Sequence, residues 1–170
     1  MPKVGGGTID LASMSGKAVW VNFMQTTCPP CVDEFPIMSG FAARYADKGL
    51  VVVAVDIREN ESTVAAFAKR LSATFPVGLD ADGSAQQAWG AYGLPVHFWI
   101  DKTGIVRDGA LGGIGPDVMA HGVASILPGS PSHRRPAAPR PALEPPAPDR
   151  RDGSRRVTLR SGRLPGRPGR

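Results

Sequence analysis

The sequence predicts an α/β fold, a mixed sheet sandwiched between helices, and three observations carry that prediction. Apolar runs rich in β-branched and aromatic residues alternate with helical patterns over the first hundred residues. One run, Leu50-Val51-Val52-Val53-Ala54-Val55-Asp56, is apolar almost throughout, as a central parallel strand buried on both faces must be. Two short apolar runs flank Asp101-Lys102-Thr103-Gly104, a hairpin pattern. The alternation demands parallel strands joined by crossover helices, and the hairpin adds an antiparallel pair.

The elements follow in order. Thr8-Ile9-Asp10-Leu11 alternates and predicts a short edge strand. Gly16-Lys17 marks a turn, and Ala18-Val19-Trp20-Val21-Asn22-Phe23 reads as a buried strand. Val32, Phe35, Met38, Phe41, Ala42 and Tyr45 then form one helical stripe, with Pro36 inside it as a source of a kink and Lys48-Gly49 as its end. After the central strand, Val64, Phe67, Ala68 and Leu71 define an amphipathic helix capped by Asn60. Phe75 to Leu79 reads as a short strand and Ser84 to Tyr92 as a short helix carrying Trp89. His97-Phe98-Trp99-Ile100 and Ile105-Val106-Arg107 are the hairpin strands. Gly115-Pro116 opens a last helix with Met119, Gly122, Val123 and Ile126 inward, and Pro128-Gly129 stops it.

The chain has 170 residues, 42% hydrophobic and 21% charged, enough for one domain with a full core. Its charge divides sharply. Residues 1–127 hold 9 basic and 12 acidic side chains, a net −3, whereas residues 128–170 hold 11 arginines and 3 acids, a net +8. The second segment also holds 10 of the 17 prolines and almost no large apolar side chains. Such a composition cannot offset the entropy of ordering, so residues 128–170 are expected to be a disordered, basic Pro/Arg-rich tail behind a domain at 1–127. Pro136 to Pro148 favours polyproline II. The tail reads as a solvated extension with no specific nucleic-acid partner, although its arginine-rich monotony is also what an out-of-frame stretch looks like. No apolar run spans a bilayer, and the first residues lack the apolar core of a signal peptide, so the chain as written reads as cytoplasmic.

Cys28 and Cys31 are the whole cysteine supply. The loop they close is too small to stabilise the fold much, and no second pair completes a zinc site, so no metal is expected. Redox work is what remains. Cys28 follows a buried strand and opens a helix, where unpaired amides and the helix dipole favour a thiolate below the free value of about 8.5. Cys31 falls one turn in and more sheltered, as exchange requires of a resolving thiol. Pro29 and Pro30 suit the first helical turn and remove the intervening amide hydrogens, which leaves the Cys31 N–H as the expected donor to the Cys28 sulfur.

The stretch WVNFMQTTCPPCVDEFPIMSGFAARYADKGLVVVAVDI, with V-N-F before C-P-P-C, Pro36 five residues past Cys31, and G-L-P before a later strand, resembles the TlpA-type thiol-disulfide oxidoreductases of the thioredoxin superfamily, kin to AhpC/TSA redoxins. The similarity runs from about Gly16 to about Leu127. It implies a thioredoxin-like three-layer α/β/α sandwich with an inserted strand-helix unit, consistent with the 64 residues from Cys31 to Pro95. It also implies that Pro95 is a cis-proline facing the cysteines, with Leu94 offering its backbone to a bound peptide. Catalysis is then expected from Cys28 and Cys31, with Pro29, Pro30, Leu94 and Pro95 shaping the site. No cofactor is expected. The implied partners are protein thiols or disulfides and a redox partner protein, and the chain is expected to be a monomer. Family members are mostly extracytoplasmic, which leaves localisation open.

The chain also departs from the family pattern. Asn22 stands where thioredoxin carries a buried acid, and Thr27 replaces the usual tryptophan. His97, two past Pro95, reads mainly as an ordinary strand residue, and His121 as a helix-surface residue. Asp56 and Glu59 lie toward the site's edge without an assigned role. Two other functions compete with disulfide exchange. Thr26 and Thr27 before Cys28 superficially resemble a peroxiredoxin site, which would make Cys28 a thiol peroxidase. Met24, His97 and His121 could on paper join the cysteines in holding soft copper.

Overall fold

The structure is a computed structural model that describes residues 1–127; the tail expected at 128–170 lies outside the described residues. Five strands form one sheet, β1 (Ala18–Met24), β2 (Leu50–Ile57), β3 (Val77–Asp80), β4 (Val96–Ile100) and β5 (Val106–Leu111), in the order β3-β2-β1-β4-β5. β1 pairs parallel with β2, and β2 with β3, while β4 runs antiparallel to both β1 and β5. Helices α1 (Pro29–Tyr45), α2 (Glu61–Arg70), α3 (Ser84–Trp89) and α4 (Pro116–Ile126) complete the layers. The mixed sheet and the strand-helix unit between α1 and β4, which adds β3 at the edge, match the expected class.

Strand alternation assigns each face its partners. Trp20, Val52, Ala54 and Trp99 point to the face covered by α1, α2 and α4, where they meet Phe35, Met38, Val64, Phe67, Met119 and Val123. Val19, Val21, Phe23, Val53, Val55 and Ile57 point the other way, toward Trp89 on α3 and toward Ile9 and Met14 of the N-terminal segment. Both faces of β1 and β2 are therefore buried, which is why their sequences read as continuous apolar runs. Asn60 caps α2 by accepting the Thr63 amide hydrogen at 2.9 Å. Asp80, at the end of β3, accepts the Ala85 and Gln86 amides at 2.9 and 2.8 Å and so fixes the start of α3.

Four element boundaries differ from expectation. The helix expected at Ser84 to Tyr92 stops at Trp89, because Gly90 takes a left-handed backbone (φ 64) that ends it. Thr8 to Leu11 is not a strand: Thr8 makes a single bridge to Pro2, and the chain then turns through a short 3-10 segment, Ala12–Met14. Asp10 causes the turn by accepting the Ala12 amide hydrogen on its side chain and the Ser13 hydroxyl on its carbonyl. β3 begins at Val77 because Pro76 has no amide hydrogen for the ladder. β5 runs on to Leu111, although its side chains are largely exposed and give little apolar signal. The last helix needs a glycine on its inner face. A Cβ at Gly122 would lie 2.1–2.5 Å from the Trp99 ring. The Gly122→Ala variant is therefore expected to lose about 1–3 kcal/mol or more in urea unfolding, because Trp99 cannot yield in a filled core. An unchanged midpoint would refute this packing.

Candidate active site

The loop after β1 delivers Cys28 to the N-cap of α1 in extended conformation, with Pro29 and Pro30 as the first two helical residues. The Cys28 sulfur accepts the Cys31 N–H at 3.4 Å, the bond expected from the two prolines. The two sulfurs form a disulfide, with their Cα atoms 5.3 Å apart. Cys28 is partly exposed, whereas Cys31 is 2% exposed and sits in the core under α1. One sulfur thus faces solvent at the positive end of a helix and the other stands behind it.

The Leu94–Pro95 peptide bond is cis, Pro95 is buried and Leu94 half-buried. A three-residue strap after β5 ties this turn to the cysteine helix. Gly112 donates its amide hydrogen to the Pro95 carbonyl at 2.8 Å. Gly113 lies against Pro30, where a Cβ would come within 2.9 Å of the proline's own Cβ. Ile114 donates its amide hydrogen to Oε1 of Glu34. The strap is invisible in the sequence pattern, since its contacts use backbone and the absence of a side chain.

Glu34 was also missed. It is 3% exposed and stands one turn past Cys31 on the inner face of α1. An acid at i+3 from a buried cysteine, beside Phe35 and one turn before Met38, is the signal that marks it. Its Oε2 lies 3.1 Å from Nε2 of His97, which is fully buried. The contact has ion-pair length without hydrogen-bond alignment, and neither atom has another hydrogen-bond partner among the described residues. Trp20 Nε1 stands 3.2 Å from His97 Nδ1, and the Asn22 amide is also 3.2 Å from it. An indole can only donate, so Nδ1 accepts, and a neutral ring carries its hydrogen on Nε2, toward Glu34. His97 is thus the hub of a buried polar network, stacked on Trp99 at 5.7 Å, rather than an ordinary strand residue.

On the other side of Cys28, the loop Gln25-Thr26-Thr27 is held by the loop after β2. Cys28 donates its amide hydrogen to the Gln25 carbonyl at 3.2 Å, closing a turn. Glu59 accepts the Thr26 amide and hydroxyl hydrogens at 2.6 and 2.7 Å, and the Gln25 side-chain amide donates to the Ile57 carbonyl at 2.9 Å. Behind Glu59 lies Asp56, fully buried at the end of β2, whose Oδ1 accepts the Glu59 amide at 3.2 Å. Burial, then the hydrogen bond to Glu59 and its charge, push the Asp56 carboxyl up to about 8. Burial also pulls Glu59 upward, but hydrogen bonds from Asp56 and Thr26 outweigh it and hold that carboxyl below its ordinary value. No three His, Cys, Asp or Glu side chains group as metal ligands among the described residues, and His121 lies on α4, 3.9 Å from Asp108 of β5. No helix among the described residues is long and apolar enough to cross a membrane.

A mixed sheet with a cysteine pair opening its first helix and a cis-proline before the antiparallel strand defines a thioredoxin-fold protein of the dithiol class. The AhpC/TSA family model matches residues 1–108, and the chain belongs to that family. Among curated proteins it is similar to the thiol-disulfide oxidoreductase ResA of Bacillus thuringiensis subsp. konkukian, 38% identical over 101 residues that cover 59% of this chain and 58% of that one. ResA of Halalkalibacterium halodurans is 32% identical over 123 residues, 72% of this chain and 70% of the relative. Among solved structures, a thioredoxin-family thiol:disulfide interchange protein from Chlorobium tepidum TLS superposes with a TM-score of 0.64 at 29% identity, covering 72% of this chain and 91% of that one. The chain therefore spans less than two thirds of the first of these relatives.

The buried Asp56 makes stability depend on pH. Its folded value of about 8 stands well above the value of about 4 in an unfolded chain, so between these limits the native state holds a proton that the unfolded chain has lost. This contribution is whole below pH 4 and is lost as pH rises through 8. The oxidised protein is expected to be less stable at pH 9 than at pH 5.5 by a few kcal/mol in urea unfolding, and Asp56→Asn to flatten the difference. Parallel pH profiles for the two proteins would contradict a protonated Asp56.

Proposed function

We propose that this chain is a thiol-disulfide oxidoreductase that exchanges its Cys28–Cys31 pair with protein disulfides. One observation carries the reading: the Cys28 sulfur sits at the N-cap of α1, accepts the Cys31 amide hydrogen, and lies within bonding reach of the Cys31 sulfur. The names of the ResA relatives support it. In the reducing direction, the Cys28 thiolate attacks one sulfur of a client disulfide, forming a mixed disulfide while the client S–S bond breaks. The departing client thiolate takes up a proton. Cys31, having given up its own proton, then attacks the Cys28 sulfur, closing the internal disulfide and releasing the second client thiolate. Two electrons pass to the client, and a redox partner protein must return them to the chain. The oxidising direction is the same sequence reversed.

Each remaining site residue has a part in this scheme. Pro29 and Pro30 preset the first turn and keep competing amides away from the sulfur. Leu94, before cis-Pro95, offers backbone groups to an extended client segment, and Pro95 holds this turn to the strap through its carbonyl. The reaction belongs to residues 1–127 acting as a monomer, with the basic tail taking no part. No metal or other cofactor enters the scheme.

Cys28→Ser is expected to abolish reduction of insulin disulfides, a loss of more than about a hundredfold, because the nucleophile is gone. Cys31→Ser should instead accumulate a mixed disulfide on Cys28 that dithiothreitol releases. Consumption of hydrogen peroxide without insulin reduction would assign a peroxidase and overturn the proposal.

A further inference from the structure

We propose that Glu59 is the positioning residue for the turn that presents Cys28, and that Asp56 is the buried acid that holds Glu59 in place. The inference rests on the disulfide-exchange reading above and extends it to residues outside the cysteine motif.

The geometry is specific. The turn Gln25-Thr26-Thr27-Cys28 closes on one backbone bond, Cys28 N–H to the Gln25 carbonyl. A single bond in a partly exposed loop would fix the cysteine poorly. Glu59 supplies the missing restraint by accepting both hydrogens that Thr26 offers, from its amide and from its hydroxyl, and the Gln25 side chain adds a tie to Ile57. Bonds from backbone and hydroxyl donors to an ionised carboxylate are among the stronger ones available. Glu59 is itself pinned from three directions. Its amide hydrogen goes to Asp56, its neighbour Arg58 donates an amide hydrogen to the Asp80 carbonyl at 3.1 Å, and Asn60 on its other side caps α2. Arg58 takes a left-handed backbone (φ 63), a conformation that non-glycine residues hold only where their surroundings require it. That strain places Glu59 over Thr26.

Asp56 completes the device. It is fully buried, and its Oδ2 has no hydrogen-bond partner so long as both carboxyls are ionised, since neither can then donate. A proton on Asp56 resolves this: the acid donates to Glu59, which stays ionised and keeps both Thr26 bonds. The ionisable groups acting on Asp56 are Glu59 in its own loop and Asp80 on β3, both acidic. β1 presents Met24 in register with Asp56, and the loop after β1 presents Gln25 and Thr26, none of which titrates. The Arg58 guanidinium lies against Gly83 and is not among the groups acting on Asp56. Ionisation of Asp56 therefore sets two like charges in contact and loosens the clamp, and this falls near pH 8.

The test reads the pH dependence of Cys28 alkylation by iodoacetamide, a neutral reagent, on the reduced full-length protein. Glu59→Gln and Glu59→Ala both remove the charge. Only glutamine can still accept the Thr26 amide hydrogen and meet its hydroxyl. The difference between them reports the clamp alone. Glu59→Ala is expected to react about threefold to tenfold more slowly than Glu59→Gln at pH 7, with its thiolate midpoint displaced upward. The wild-type profile should show a second inflection near pH 8 that Asp56→Asn lacks. Superimposable Glu59→Ala and Glu59→Gln profiles, or an inflection that survives Asp56→Asn, would overturn the inference. Should Glu59→Ala not fold, the wild type against Asp56→Asn decides it. A wild type no more reactive than glutathione would instead defeat the disulfide-exchange reading, whereas a reactive wild type with matched variants defeats the clamp alone.

Discussion

The geometry of the cysteine pair depends on the first turn of one helix. An α-helix begins with amide hydrogens that have no partner in the helix, and here the residue meeting that surplus is a cysteine. Two prolines leave no amide hydrogen between the cysteines, so the sulfur takes its bond from the resolving cysteine's own backbone. The same four residues set the exposure of one sulfur, the shelter of the other and the bond between them. A helix N-terminus with one aligned donor is among the surroundings that favour a thiolate over a thiol.

The surrounding structure keeps that turn in place. Below it, Phe35 and Met38 bury α1 on the sheet beside Trp20 and Trp99. On one side, the Glu34 and His97 pair carries a polar line from α1 to β4, with Trp20 and Asn22 as its further members. On the other, the loop after β2 grips the residues leading into Cys28. Above, the strap at Gly112 to Ile114 joins the cis-proline turn to the helix. Three segments distant in sequence thus converge on one turn, and each contributes mainly through backbone groups or polar side chains rather than apolar area.

That division explains what could be read without coordinates. Periodicity located α1 to α4 and β1 to β4, because apolar residues such as Val53, Phe67 and Met119 obey the burial pattern of their element, and the turn at Asp101 to Gly104 located β5. The cysteine turn was legible from C-P-P-C, since proline and helix-cap chemistry are local. Glu34, His97 and the strap were not. Their roles come from contacts over 80 and 63 positions, and hydrophobic patterning carries no information about which buried polar groups will meet. Asp56 was the opposite case. It sits in plain view at the end of an apolar run, yet only its full burial against Glu59 shows why an acid is there. The Thr8 to Leu11 error has a local cause, a side-chain turn at Asp10 that outcompetes pairing.

The strap carries a consequence for how the molecule is made. Its Ile114 amide reaches Glu34 across 80 positions of chain. During synthesis, the cysteines leave the ribosome long before the segment that closes their surroundings. A nascent chain halted before residue 112 would present a dithiol without the cis-proline turn's backbone anchor or the polar partner for its helix. Until the second half of the sheet docks, the local helix turn surrounds the two sulfurs without either of those supports.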